Sequence, residues 1–409
     1  ARDPDTGRIS YVDNNSLSND LTLSVDQNIP FLGGTLSLQS SLSRLDQFNY
    51  DLQTYNTVPL ILNYTQPIRA YNALKWRKKT APLQYENAQR AYLETMQDIT
   101  INVTNLFFTV LSAQENYRQS VADYEDRKHL FEIAKKRLDL GTTTKSEVLQ
   151  MELSLLNAKM SVNSTNLTLR TQLFSLFSYL RIVDYGDIEL LPPYYMPEIE
   201  MNAEQVLDKA WTGSSHSIEQ QLNLLESQRA LAEAKATRGL QVEFRGRLGL
   251  SQAANELPAA YRRLKDYETV GLTMTIPIYD WGMGRGKVRM AKTDVEITKT
   301  QIEQANIEFA HDVRTKVLQF NNQAEQCKTS LRAQDIAAER YDIMKKRFEN
   351  GSVTVTELNT AQEEFESAQH QYISQLQQFW TDYYGIQKLT LYDFIRKENI
   401  GVNFNDLVN

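Results

Sequence analysis

The sequence predicts a mainly α-helical protein with transmembrane β-strands, built on tandem-duplicated long antiparallel helix hairpins. Three observations predict it: a repeat at a constant offset of 210 residues, seven-residue apolar periods that persist over five heptads, and period-two stretches lying directly beside helices. The length of 409 residues would ordinarily suggest two or three compact domains. The patterning points to something more elongated.

The repeat comes first, because a missed repeat misreads the whole chain. Arg137-Leu138-Asp139-Leu140-Gly141-Thr142-Thr143-Thr144 matches Arg347-Phe348-Glu349-Asn350-Gly351-Ser352-Val353-Thr354. The same offset carries Glu147 onto Glu357, Ala158 onto Ala368, Pro67-Ile68 onto Pro277-Ile278 and Val103 onto Val313. No gap is needed from about residue 66 to residue 180.

Each copy holds two helical patterns separated by one glycine turn. Tyr85, Ala88, Tyr92, Met96, Ile99, Val103, Leu106, Val110, Ala113 and Tyr117 recur at three- and four-residue steps, a helical stripe. The helix expected from about 82 to 139 is roughly 85 Å long at about 1.5 Å per residue. After Gly141, the residues Val148, Leu155, Val162, Leu169 and Leu176 fall every seven, and copy two repeats this at Leu358, Phe365, Tyr372, Phe379 and Ile386. Such a period keeps one seam facing a partner helix, as in coiled coils. The shorter arm is roughly 57 Å on the same rise. Between the arms, a left-handed glycine ends one helix without a Cβ penalty. Thr143 or Thr144, and Thr354 or Thr356, are placed to cap the next helix, with Glu147 and Glu357 near its positive end.

The strand signal is alternation. Leu240, Val242, Phe244, Leu248 and Leu250 alternate with Gln241, Glu243, Arg245, Arg247 and Ser251, and Val270 to Ile278 alternate with threonines. In the first half the runs are Leu21–Val25, Leu36–Leu42 and Leu60–Tyr64. One apolar and one polar face over about ten residues describes a membrane barrel strand. A soluble half-buried sheet gives the same alternation. A lone hairpin is marginal in water, and the strands are too few to close a barrel of useful bore, so copies from several chains are expected to complete it. In a barrel, Glu243, Arg245 and Arg247 share one face and line the lumen as charged rings.

Five strands is an odd count, which an up-and-down antiparallel ring of three chains cannot close. The second half runs helix (about 217–238), strand, loop (Gln252 to Glu268), strand, long helix. By the offset, that first helix should recur at about 7–28, where Asp3-Pro4-Asp5-Thr6-Gly7 and Asn14-Asn15 read as loop. Either a helix and a strand lie upstream of Ala1, or the 21–45 hairpin is inserted outside the wall. Residues 181–216, with Pro192-Pro193 and Pro197, read as a connector with short helices, and 390–409 as a polar surface tail.

Composition excludes several other classes. Lys and Arg total 44 against 51 Asp and Glu, a net charge of −7, so no basic field points to nucleic acid. The single Cys327 excludes an internal disulfide framework, a CxxC pair and a thiolate zinc cluster; it falls in a stripe with Phe320, Ala324 and Leu331 and reads as a small buried residue. No run of eighteen apolar residues predicts a transmembrane helix. A chain opening at Ala1 without a signal peptide reads as cytosolic, or as a processed or truncated product. His129, His216, His311 and His370 are scattered without metal-ligand spacing, no nucleophile motif occurs, and no cofactor or enzymatic role is expected. Gly282-Met283-Gly284-Arg285-Gly286-Lys287 invites a phosphate-loop reading, but Val288 stands where Ser or Thr belongs; a strand-to-helix corner is expected.

Two segments carry a resemblance. Pro277-Ile278-Tyr279-Asp280-Trp281-Gly282-Met283-Gly284-Arg285, closing a strand and opening a long helix, resembles the TolC-like outer-membrane efflux family. So does the turn Arg347 to Leu358, with its first-half twin, and the resemblance covers nearly the whole chain. It implies a homotrimer in the outer membrane of a Gram-negative bacterium, joining a shared β-barrel to a periplasmic α-barrel. It further implies a passive exit duct in a tripartite efflux or type I secretion system, engaging a periplasmic adaptor and, through it, an inner-membrane pump. On that plan, 1–68 are barrel strands and extracellular loops, 69–181 the first hairpin and 182–239 the connector and equatorial helix. Residues 240–278 are the second pair of strands, 279–390 the second hairpin and 391–409 the tail.

By the same resemblance the glycine turns form the periplasmic tip. Gly141, Thr142, Thr143, Thr144, Gly351, Ser352, Val353 and Thr354 are expected to meet the adaptor. Glu357, Glu147, Ser146 and Thr360 are expected at the pore constriction. Glu357 matches the first acidic position of the family's tip ring, and Thr360 occupies the next. The aromatic and arginine gate partners fall on Phe348 and Val353, so the ion pair of that gate has no counterpart. Family barrels take four strands per chain, against the five counted here. The competing reading from another class is a soluble coiled-coil scaffold, which has no use for five strands with polar loops.

Overall fold

The structure is a computed structural model, and it describes residues 15–183, 186, 188–193, 196–349, 352–353 and 355–404. The segment 1–14, where a recurring helix was sought, lies outside the described residues. The chain divides into two compact units, residues 1–86 with 218–304 and residues 87–217 with 305–409.

The first unit is built on a five-stranded sheet. β1 (Ser16–Ile29), β2 (Gly34–Gln47), β3 (Leu52–Arg69), β4 (Gln241–Ala254) and β5 (Lys265–Thr275) lie side by side in that order, every neighbouring pair antiparallel. The loop expected from Gln252 to Glu268 is shorter than the sequence suggested, because both strands run on into it and the short helix α5 (Leu257–Ala260) fills the remainder. Buried Thr57 fastens that helix to β3, its hydroxyl donating to the Ala260 and Gln252 carbonyls. β5 stops at Thr275, short of the expected Ile278, since Pro277 has no N–H to give a ladder. Gly249 is required by packing: a Cβ there would meet the Leu60 carbonyl and the Ile61 Cα.

Helix α4 (His216–Thr237) precedes β4, as read from the sequence. The repeat departs from itself at its first-half counterpart: residues 6–27 by offset include most of β1. The long helices obey it closely. α1 (Ala73–Asp139) and α6 (Met283–Glu349) each hold 67 residues, and both ends differ by 210 (283 − 73 and 349 − 139). α1 begins at Ala73 rather than near 82. Pro82 lies inside the helix.

The second unit gathers the rest of these helices with α2 (Lys145–Tyr179), α3 (Ala203–Gly213) and α7 (Val355–Thr390). The heptad seams face inward: Val148, Leu176, Leu358, Phe379 and Ile386 are buried, and the intervening seam residues are half-buried. Val313, Val317 and Phe320 of α6 pack with Phe379, Tyr383 and Ile386 of α7 and Val206, Leu207 and Ala210 of α3. A second cluster joins Phe108 and Leu111 to Cys327, Ile373 and Leu376. Burial pushes the Cys327 thiol up to about 11, consistent with a small core residue, whereas Leu331 of the same predicted stripe is exposed.

The connector is held by side-chain amides that sequence reading passed over. Gln114 makes two reciprocal bonds with the Leu190 backbone (2.8 and 2.9 Å), and Asn321 does the same with Met201 (2.9 and 3.0 Å). The C-terminal segment corrects the expectation of a surface tail. Leu391 is buried, β6 (Tyr392–Asp393) pairs with β7 (Glu398–Asn399), Phe394 packs on the α3–α6–α7 core, and Tyr383 donates to Asp393 at 2.7 Å.

Candidate functional site

The sheet has two unlike faces. Directly opposed residues in adjacent strands point the same way, so the register assigns every side chain to a face. One rung reads Val25, Leu38, Leu62 and Leu248 and ends at Glu268 on β5; the neighbouring rungs add Leu36, Tyr64 and Val270, then Phe244 and Leu272, while Asp266 opposite Leu250 makes the α5 end of β5 acidic on this face. The opposite face carries Ser24, Asp26, Ser37, Gln39, Asn63, Thr65, Arg245 and Arg247. On the apolar face Leu21 and Leu23 are 71% exposed, Val25 66%, Leu248 56% and Val270 77%. A sheet half-buried in a soluble protein would have covered this face first. Here it lies open, a large contiguous apolar surface of the kind that marks an interaction with membrane or partner.

The predicted lumen residues lie together on the polar face. Glu243, Arg245 and Arg247 line an open concavity with Gln39, Asn63 and Tyr267. Arg245 is ion-paired with Glu243, and Asn63 donates to Gln39 across the β2–β3 ladder at 3.3 Å. With lipid on one side and water on the other, such a sheet is a wall in which the charged side chains need no burial.

The strand-to-helix corner expected at 277–285 is present, and no phosphate cradle is formed. Asp280 accepts from the amides of Gly284 (2.7 Å) and Gly282 (3.0 Å), which hold its carboxyl below the usual carboxylate range. Gly282 is left-handed at φ +81, and a Cβ on Gly284 would meet the Asp280 carboxylate. The donors that a phosphate would need are taken by Asp280.

The turn between α1 and α2 is built by backbone chemistry. Gly141, at φ +72, donates to Leu138, and Thr142 donates to Arg137, both at 2.9 Å. That is the Schellman pattern, closing the carbonyls the helix leaves open. Nothing stands within 4 Å of a Cβ built on Gly141, so its dihedral rather than its space calls for glycine. The same closing bond recurs in copy two, Ser352 to Arg347 at 2.9 Å. Thr144 caps α2 in a capping box: its hydroxyl accepts from the Glu147 amide, while the Glu147 carboxylate takes the Thr144 amide and the Thr143 hydroxyl. The Thr143 hydroxyl and then the Thr144 amide lower the Glu147 pKa. Ser146 is exposed beside it.

In copy two, Glu357 is exposed on the first turn of α7, Thr360 returns its hydroxyl to the Thr356 carbonyl at 3.0 Å, and Val353 is half-buried. Gly351 and Thr354 lie outside the described residues, as does the Phe348 side chain. Sequence reading missed a polar layer behind this turn. Gln362, 8% exposed, donates to Asp123 at 2.8 Å and to Glu366 at 2.9 Å, and Asp123 also holds Arg127. It missed as well a second stripe on α2: Leu149, Leu153, Leu156, Met160, Leu167 and Phe174, each more than half exposed. Among the described residues no group of His, Cys, Asp and Glu could hold a metal, and no helix is long and apolar enough to cross a membrane.

The comparisons agree with this architecture. No curated protein matches the chain in sequence. Among solved structures, the CmeC outer membrane channel of Campylobacter jejuni is similar at 13% identity and TM-score 0.65, over 96% of this chain and 80% of its own. The MtrE outer membrane channel of Neisseria gonorrhoeae, in its open state, is similar at 12% identity and TM-score 0.64, over 92% and 80%. CusC, a protein described through transmembrane channel formation, gives 12% and 0.64 over 92% and 83%. At such identities these likenesses establish the fold. The outer membrane efflux protein model matches residues 16–180 and 213–390, one segment for each copy of the repeat. With most of its length so matched, the chain belongs to the outer membrane efflux protein family.

Proposed function

We propose that the chain is one subunit of a homotrimeric outer-membrane exit duct, a passive conduit in a tripartite efflux or type I secretion system of a Gram-negative bacterium. The observation that carries this reading is the two-faced sheet, apolar and open on one side, polar and charged on the other. Lipid covers the first face, and the lumen meets Glu243, Arg245 and Arg247. The second stripe on α2 supports oligomerisation: six large apolar residues at three-, four- and seven-residue steps form a coiled-coil seam left exposed among the described residues. A second copy supplies it. A soluble coiled-coil scaffold leaves the sheet face unexplained.

The turns at Gly141–Thr144 and Gly351–Thr354 meet the periplasmic adaptor, which links the duct to an inner-membrane pump. Glu357, Glu147, Ser146 and Thr360 line the constriction. Of these, Glu357 is the group assigned to select cations, because it matches the first acidic position of the family's tip ring and is exposed on the first turn of α7. The test is extraction followed by mass. The full chain should leave the membrane fraction only with detergent and run as a trimer in it. A detergent-free monomer or dimer would sink the proposal.

A further inference from the structure

Both long helices leave the sheet at one end, and both carry bases in their first two turns. The β1–β2 turn and the junctions that follow Arg69 and Thr275 lie together at that end. Asn72 donates to the Pro30 carbonyl at 3.1 Å and Gln66 to the Leu32 carbonyl at 2.7 Å, which ties the turn to the start of α1.

The 210-residue step carries Lys75, Arg77 and Lys79 of α1 onto Arg285, Lys287 and Arg289 of α6. In every pair lysine stands against arginine, so the two copies share charge and not shape. All six side chains are exposed, and among the described residues none is held in an ion pair. Lys128, Lys135 and Lys299, by contrast, each pair with a glutamate three residues earlier. No Asp or Glu occurs from Leu52 to Tyr85 or from Trp281 to Thr293, and Asp280 is engaged by the Gly282 and Gly284 amides. Lys79 lies over the Trp76 ring at 5.0 Å, a contact that leaves its charge intact. In a chain of net charge −7 this is a local field of opposite sign. Cations at the positive start of a helix are unfavourable, so folding does not call for them.

Aromatic side chains mark the level at which this end meets a bilayer. Tyr279 and Trp281 are largely exposed, with ring centroids 4.6 Å apart and edges turned to faces, and Phe31 of the β1–β2 turn is exposed as well. Membrane barrels gather such rings at the headgroup level. Arg285 follows Trp281 within about one helical turn, and Arg285 to Arg289 rises about 6 Å. One headgroup layer is roughly 5–8 Å thick.

We propose that these six residues form a basic collar, repeated in each subunit, that binds the anionic headgroups of the phospholipid leaflet on the helix side of the barrel. Their ammonium and guanidinium groups meet phosphate oxygens just beyond the apolar face that the lipid tails cover. The collar thereby fixes the depth of the duct in the membrane. This inference rests on the trimeric-duct reading.

The test is native mass spectrometry of the full-length trimer in detergent, titrated with phosphatidylglycerol or with phosphatidylcholine of the same chain length. The wild type should retain phosphatidylglycerol about tenfold more tightly or better, since each base near an anionic surface contributes roughly fivefold. Glutamine at all six positions should abolish the preference. Exchanging lysine for arginine and arginine for lysine at all six should keep it within about twofold, since charge alone is read. Equal retention of the two lipids by the wild type would overturn the collar without recourse to any variant. A preference that survives the glutamine changes would overturn it too, and an altered ion selectivity in that variant would then place the bases in the lumen. A chain that runs as a monomer in detergent strikes the trimeric-duct reading and this inference together, whereas a trimer indifferent to headgroup charge strikes this inference alone.

Discussion

Replacing Leu38 by arginine separates a membrane wall from a soluble sheet. Leu38 sits on the apolar rung between Val25 and Leu62 and is 44% exposed; its neighbour Ser37 points the other way, between Asp26 and Asn63. In hydrocarbon an arginine near mid-depth costs about 2–4 kcal/mol, falling to about 0–1 near the interface. The apolar rungs run from Val242 to Leu250 on β4, and Leu38 lies one rung from their middle, opposite Leu62 and hence Leu248. About 2 kcal/mol is expected, roughly a 30-fold loss in the folded-to-unfolded ratio per subunit. If water bathed this face, the same change would fall within about 0.5 kcal/mol. Ser37→Arg, which gains Asp26 as a neighbour, should be near neutral in either case. The assay is guanidinium unfolding in phospholipid vesicles, followed through the native tryptophans and compared at the midpoint with slopes held equal. Equal midpoints for Leu38→Arg and Ser37→Arg would refute the assignment of faces.

Other expectations concern the tip and the corner. Gly141→Ala forces a Cβ into a left-handed residue at a cost of about 1–2 kcal/mol, and Thr144→Ala removes a cap worth about 1 kcal/mol. Amide exchange at the start of α2 should speed up in both variants, and unchanged exchange would mean the turn is not held this way. Asp280, with its pKa lowered by the Gly284 and Gly282 amides, stabilises the corner most above its ordinary value of about 4 and loses that contribution as pH falls through the lower folded value. The difference in Gly284 amide exchange between wild type and Asp280→Asn should therefore be constant at neutral pH and vanish in acid; a difference growing toward acid would reverse the sign. Glu357→Gln should reduce cation selectivity in single-channel recordings, and an unchanged selectivity would remove Glu357 from the constriction.

Much of the fold was legible because its periods are long. The duplication, the glycine turn at Gly141 and the inward seams from Val148 to Leu176 and Leu358 to Ile386 follow from spacing that no tertiary contact had to modify. The five strands were legible in alternation, but whether lipid or protein covered their apolar side was not. That depends on whether another element lies over Leu23, Val25 and Leu248, a non-local fact. The start of α1 was placed late because the apolar stripe that marks the helix begins only at Tyr85, while the turns before it carry Lys78, Lys79 and Pro82. The docked segment after Leu391 carries too short a pattern to reveal that Phe394 finds a core. Gln114, Asn321 and Gln362 look like ordinary surface amides until the helices that face them are known. The turn at Gly141 was legible as geometry, since a left-handed glycine and the capping Thr144 dictate it. What meets it is not written in those residues.

Whether this sheet and these helices form a conducting duct is tested most directly by current through a planar bilayer. The full chain, purified as a detergent-solubilised trimer and added to the bilayer, should insert and give discrete, cation-biased conductance steps. Trimers that reach the bilayer and carry no current, or a chain that stays in water and never inserts, would contradict it.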